Sequence, residues 1–293
     1  RIDGIYSDNR RPDTVEFTDN LSADLSRRDF TINAMAYNPD TGLVDKFGSL
    51  SDLNNKLIRT VGDPDKRFSE DGLRVMRAVR FASVLGFEIE KNTAESVHRN
   101  KELLRGIAVE RLYTELIKLI NGENASRTLF EYGDIIAVII PALQSVTDSP
   151  EWEHVCASVG KTEPQKELRL AVLLHSLSEQ LAESALKSLK ADKKTTAAVV
   201  KLISLKDFKI PSSLIETERL MKNITPEELN DLLLIKKASQ PDTPGFQEIS
   251  GRIDSAFSFL DKIISKDLCY SFEKLAVNGK IGRASCRERV FRT

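Results

Sequence analysis

Two short stretches of the chain hold the residue types that bind phosphate and read polar edges. The first is Arg27-Arg28-Asp29-Phe30-Thr31-Ile32-Asn33-Ala34-Met35-Ala36-Tyr37. Guanidinium forks match phosphate oxygens, and a helix starting near Leu25, capped by Asp24 or Ser26, would add its own amides to an anion site there. The second runs Arg67-Phe68-Ser69-Glu70-Asp71-Gly72-Leu73-Arg74-Val75-Met76-Arg77-Ala78-Val79-Arg80-Phe81. Read as one helix from Glu70 to Leu85 closed by Gly86, it buries Leu73, Met76 and Val79. Asp71, Arg74 and Arg77 then lie three apart on one face. Taken alone, each stretch has a plainer reading: a solvated helix end in the first, and an exposed Asp71–Arg74 ion pair worth a few tenths of a kcal/mol in the second.

The elements that must position these residues change character along the chain. Residues 1–19 read as two short alternating strands around a polar turn, and Gly42 to Phe47 as a further strand. After Asp52 the period becomes helical. Thr93–Leu104, Val109–Ile120, Ser126–Tyr132, Glu167–Leu177, Leu181–Lys190, Thr195–Leu205, Pro226–Lys236 and Ile249–Ile264 follow the 70–85 helix. No fixed period recurs, which excludes a regular repeat array. The expected class is α+β: a short strand-and-helix segment followed by an all-helical remainder.

Bulk properties narrow the functions further. The 293 residues suffice for more than one core. Lys+Arg number 43 against 44 Asp+Glu, so any nucleic-acid surface must be local. Cys156, Cys269 and Cys286 lack paired spacing, which argues against a disulfide framework or zinc cluster and fits a reducing cytoplasm. No run reaches the roughly 18 apolar residues of a membrane span, and no leader pattern opens the chain.

Taken together, the two stretches resemble the class II nucleotidyltransferase family of CCA-adding enzymes and bacterial poly(A) polymerases. In that family RRDFTINA-like and EDxxRxxRAxRF-like segments are joined by a linker that Asp45, Gly48, Asp52-Leu53 and Ile58-Arg59 match here. Glu110-Arg111-Leu112-Tyr113-Thr114-Glu115-Leu116 matches a further family segment, which buttresses the preceding helix. The resemblance implies that Arg28 contacts the nucleotide's sugar or phosphates, that Asp71 and Arg74 read the base, and that Arg77 and Arg80 complete the pocket. Arg27, Asp29, Asn33, Glu70, Glu110 and Arg111 would support them. It implies a nucleotidyltransferase head remnant over 1–51, a base-reading neck over 52–122 and a tRNA-binding body and tail over 123–280. Residues 281–293 resemble a translated sequencing adapter and are expected to be non-native.

The implied activity is addition of CMP and AMP to tRNA 3′ ends from CTP and ATP. Poly(A) polymerase, a CC- or A-adding enzyme, and a non-catalytic RNA-binding module are the alternatives. Base chemistry agrees with the implied roles. Cytosine and adenine both present an amino donor beside a ring-nitrogen acceptor, which a carboxylate and a guanidinium complement, whereas uracil and guanine reverse that order.

The departures from the family are specific. Its head opens with a Gly-Gly turn and an Asp-x-Asp pair that holds Mg²⁺. Neither stands here, so the carboxylates are expected upstream of Arg1 and the fragment is expected to be inactive, with no catalytic residue of its own. Asp63-Pro64-Asp65 has the spacing but falls in a turn. Some relatives carry a His-Asp metal pair where His175-Ser176 stands, and a hydroxyl is a poor divalent-metal ligand. Lys187, Lys190, Lys193, Lys194, Lys201 and Lys206 are either salt-sensitive phosphate contacts or a solvated face.

Overall fold

The computed structural model describes residues 2–3, 15–16, 20–240 and 246–266. The rest of the 1–19 strand region, Cys269, Cys286 and the 281–293 segment lie outside the described residues. Two compact units divide between Ser204 and Leu205.

In the first unit, β1 (Ile2–Asp3) pairs antiparallel with β2 (Val15–Glu16). Next come α1 (Leu21–Ser26) and the antiparallel hairpin of β3 (Met35–Asn38) with β4 (Gly42–Asp45). The Asp45 carboxylate then accepts the Ser49 and Leu50 amides at 2.8 and 2.9 Å and so caps α2 (Ser49–Asn54). Those amides, Leu50 first, hold Asp45 below the usual carboxylate range. Gly48, at φ 73°, makes the left-handed turn into that helix, a conformation that costs glycine little.

The segment Asp29–Thr31 lies antiparallel to residues 59–61. Thr31 N–H donates to Arg59 O at 2.9 Å and Val61 N–H to Asp29 O at 3.2 Å. β5 (Leu57–Ile58) in turn pairs parallel with β6 (Glu88–Ile89). α3 (Pro64–Glu70) and α4 (Leu73–Leu85) stand between them in sequence.

Two sequence expectations are corrected here. No helix runs from Leu25 to Met35. α1 starts earlier, capped by Asn20, and the Arg27-Arg28 pair follows its end. From Asp29 the chain is drawn extended by its pairing to 59–61 and makes only a single 3₁₀ turn at Thr31–Asn33. The amides of a helix start are therefore not offered to that arginine pair. Likewise, 70–85 is not one helix. Asp71 is extended (φ −148°, ψ 103°) and separates α3 from α4, its carboxylate and carbonyl taking the Leu73 and Arg74 amides in the manner of an N-cap. Asp71 thus does not share a helix face with Arg74 and Arg77. Gly86 closes α4 as expected, at φ 67°.

α5 (Lys91–Arg99), a 3₁₀ stretch over Lys101–Gly106 and α6 (Val109–Ile120) follow. α7 (Ala125–Glu131), α8 (Gly133–Ile139), α9 (Gln144–Thr147), α10 (Glu151–Lys161), α11 (Lys166–Leu173), α12 (Glu179–Ser188) and α13 (Lys193–Ser204) complete the first unit. Val75, Met76, Val79, Leu116, Leu119, Leu129, Ile136, Val159 and Leu170 are fully or almost fully buried in its core.

The end of α6 is the tightest seam. Ser83 Oγ donates to Leu119 O at 2.6 Å, and a Cβ added to Gly122 would lie 2.7 Å from the Ser83 carbonyl oxygen. Buried Arg169 donates to Ile120 O (2.6 Å), Gly122 O (2.9 Å), Thr162 O (2.8 Å) and Glu163 O (3.2 Å).

The second unit packs α14 (Leu214–Leu220) and α15 (Pro226–Ala238) against α16 (Phe246–Ser265). Leu229, Leu233, Ile253, Ala256 and Ile263 fill its core. Pro226 at the first turn and the reciprocal Thr225–Glu228 capping box fix the start of α15.

Candidate nucleotide-reading site

Asp29 ties the first arginine stretch to the second. Its Oδ2 accepts Arg77 Nε at 2.8 Å and Nη2 at 2.5 Å, while Oδ1 accepts the Phe30 amide at 2.9 Å and Asn33 Nδ2 at 3.2 Å. Burial pushes against ionisation of Asp29, but the Arg77 charge and these donors together hold its carboxyl below the ordinary range. Arg74 crosses the same gap, its Nη2 donating to Arg27 O at 3.1 Å. Its Nη1 donates to Glu70 Oε2 at 2.6 Å and to Arg67 O at 2.9 Å, and Glu70 also accepts Arg67 Nη1 at 2.7 Å. Only 11% of the Arg74 side chain is exposed, so this network holds its guanidinium in place.

Beside it, Asp71 Oδ1 accepts the Leu73 amide at 3.1 Å and Oδ2 accepts Arg111 Nη2 at 3.2 Å. Arg111 comes from the first turn of α6, as the matching family segment implies. Both Asp71 oxygens therefore already have a donor. Four lone-pair positions per carboxylate leave room for another.

The structure brings together Arg27, Asp29, Asn33, Glu70, Arg74 and Arg77 in one network, with Asp71 and Arg111 adjoining it through the α3–α4 junction. It places three other expected residues elsewhere. Arg28 points outward, its side chain 46% exposed, and touches Asp24 at 3.2 Å. Arg80 lies on the Phe81 ring, 3.6 Å from its centroid, and pairs with Glu115 at 2.8 Å. Glu110 is exposed and pairs with Lys190 at 2.6 Å. Arg27 is spent on Asp24, which that contact, ahead of the others, holds down to about 2.

Sequence reading gave three participants no site role: Arg67, Phe81 and Asp24. Arg67 stands three before Glu70 and seven before Arg74, a charge spacing that could have marked it. Phe81 contacts the Phe30 ring edge-on at 5.7 Å and lies 5.4 Å from the Arg77 guanidinium.

Elsewhere, Asp63 caps α3, and Asp65 bonds Ser96, Arg99 and Asn100. His175 follows α11 half-buried, and Ser176 Oγ donates to Glu151 at 2.5 Å. Lys187 pairs with Glu183 at 2.6 Å, and Lys193 and Lys194 are exposed at the start of α13. Among the described residues no three His, Cys, Asp or Glu side chains converge as a metal site, and no helix is long and apolar enough to cross a membrane.

Residues 1–59 match the family model described as the poly A polymerase head domain. Residues 86–145 match the "Probable RNA and SrmB- binding site of polymerase A". The chain is 50% identical over 129 residues to a CCA-adding enzyme of Bacillus velezensis, covering 44% of the chain and 33% of that relative. With the CCA-adding enzyme of Leuconostoc citreum it shares 38% over 208 residues, 70% of the chain and 51% of the relative. The chain thus spans between about a third and a half of these relatives.

Among solved structures, the Bacillus stearothermophilus CCA-adding enzyme in complex with CTP superimposes with a TM-score of 0.65 at 28% identity, over 90% of this chain and 64% of that one. The α+β architecture, short strands followed by a helical body, is the one expected. On the matched segments and these relatives, the chain belongs to the nucleotidyltransferase family that holds the CCA-adding enzymes and poly(A) polymerases.

Proposed function

We propose that the chain is the base-selecting part of an enzyme that adds CMP and AMP to the 3′ end of tRNA, taking CTP and ATP in the cytosol. The observation that carries this reading is the joining of two segments 47 residues apart in sequence. Arg74 bonds Arg27 O and Arg77 bonds Asp29, beside an Asp71 carboxylate fixed by Arg111.

A guanidinium has five N–H donors, and Arg74 spends three in the contacts named above. The remaining two, with the unused lone pairs of Asp71, complement a ring-nitrogen acceptor beside an exocyclic amine. Cytosine and adenine carry that pair, while uracil and guanine would set carbonyl against carboxylate and N–H against guanidinium. Arg77 is engaged with Asp29, and Arg28, exposed beside Asp24, is the cation we assign to phosphate oxygens.

Mg²⁺, which the family resemblance implies, has no ligand set among the described residues. Asp24, Asp29, Asp45 and Asp52 are each committed to arginines, amides or hydroxyls. The chemistry we assign to these residues is selection and positioning of the nucleotide.

The test places the N-terminal part of the Leuconostoc citreum relative before residue 1 and measures CMP, UMP, AMP and GMP incorporation into tRNA lacking CCA. Asp71→Ala removes the amine acceptor. CTP and ATP use should fall by the equivalent of roughly 2 to 4 kcal/mol, about 30- to 1,000-fold, and the CTP/UTP preference should shrink. Unchanged CTP/UTP and ATP/GTP preferences would sink the assignment.

A further inference from the structure

The second unit carries an open cavity of about 230 Å³, lined by Lys209, Pro211, Glu216, Arg219, Leu220 and Asn223. Its size is near the lower end of small-molecule sites, room for about one nucleoside. Pro211 is buried and Leu220 half-buried, which gives the cavity an apolar floor. Lys209 and Arg219 are exposed, and the charges of both act on Glu216. Glu216 is not free to swing out: Ser212 donates to its Oε2 from both N–H (2.7 Å) and Oγ (2.9 Å). Its carboxyl is held low first by the Ser212 amide, so it stays an acceptor at neutral pH. Asn223 offers an amide that can both donate and accept.

These groups select a ligand class. Two cations against one fixed carboxylate leave one positive charge, which matches the single charge of a phosphodiester and falls short of a triphosphate. An anchored carboxylate accepts well from a ribose 2′-hydroxyl, the group that separates RNA from DNA. An apolar floor beside a carboxamide suits one base turned out of its stack, the usual form in which RNA sequence is read.

We propose that this cavity holds a single unpaired ribonucleotide of a bound RNA, with Lys209 and Arg219 on the phosphate, Glu216 on the 2′-hydroxyl and Asn223 at the base edge. The proposal deepens the tRNA reading and rests on it.

The experiment titrates the full chain into fluorescein-labelled tRNA ending before CCA, and into 12-nucleotide single strands of RNA and DNA of the same sequence, followed by anisotropy at several salt concentrations. Lys209→Ala/Arg219→Ala should weaken tRNA binding about 10- to 100-fold and lower the log–log salt slope by roughly 0.7 to 0.9, the value for one phosphate contact. Glu216→Gln should narrow the RNA-over-DNA preference while leaving the salt slope unchanged. Thermal melts of each variant matching wild type establish that the fold is intact. Wild-type affinity and slope in the double variant would overturn the proposal, as would no RNA binding by the wild-type chain or equal binding of RNA and DNA strands. Failure here leaves the Asp71-dependent base preference standing, because that readout uses free nucleotides and residues of the first unit.

Discussion

Replacing Asp29 by Ala asks whether the join between the two arginine stretches carries stability. The carboxylate accepts two donors from Arg77 and two from its own segment, with 12% of its side chain exposed against 32% for Arg77. Breaking a fully buried pair from one side costs roughly 3 to 5 kcal/mol, and exposed pairs are worth about 0 to 1. A pair sheltered on one side should fall between, about 2 to 3 kcal/mol. For a unit of this size each kcal/mol moves the melting temperature by about 2 to 4 °C, so Asp29→Ala should melt about 4 to 12 °C lower.

The pH dependence has a definite sign. The folded-state pKa of Asp29 is depressed, so its contribution is complete above the unfolded value near 3.9 and is lost as pH falls through the folded value. The gap between wild type and Asp29→Ala should therefore be full at pH 7 and close in strong acid. A double-mutant cycle with Arg77→Ala, read by urea denaturation, assigns the effect to the pair. A melt within about 1 °C of wild type, or a cycle with no coupling, refutes the reasoning.

Two further outcomes follow from geometry elsewhere. Gly122→Ala should destabilise the first unit by about 3 kcal/mol, because the new methyl meets Ser83 backbone atoms at 2.7 Å; an unchanged urea midpoint would contradict this. His98 bonds both Asp134 oxygens at 3.0 Å, stacks on Tyr132, and faces Lys101, which also holds Asp134. The Asp134 bond, ahead of opposing burial, raises its pKa, so its stabilisation is full below about 6.5 and fades as pH rises through the folded value. Melting of His98→Gln should accordingly lag wild type more at pH 5.5 than at pH 9, and an equal lag at both would exclude the pair as the cause.

Local signals were legible where one element dictated them. Val109–Ile120 was bounded correctly because its apolar period and the Asn121-Gly122 stop agree. Asp29, Glu70, Arg74 and Arg77, which the structure links into one network, all stood in the two quoted motifs. What could not be read was geometry imposed from a distance. Thr31–Asn33 has helical texture, but the amide and carbonyl exchange with 59–61 draws the preceding residues straight. Asp71 looks like an interior helix residue until its carboxylate is seen capping the next helix. The helices of 133–161 escaped notice because Ile135-Ile136-Ala137-Val138-Ile139-Ile140 has no polar face, and Pro141 and Pro150 break the region into short pieces. Arg80 carries the same motif spacing as Arg77, and only the positions of Asp29 beside one and Glu115 beside the other separate their charge partners.

Arg169 neutralises the carbonyl ends of two helices at once, α6 and α10, without a carboxylate partner. A guanidinium keeps its proton across the working pH range, and carbonyl acceptors have none to gain. Mobile ions reach so enclosed a contact poorly. The joint between these helices is thus indifferent to ionic strength, unlike a surface held by paired charges. Raising the salt therefore leaves this inner fastening untouched while it weakens the exposed ion pairs of the same unit.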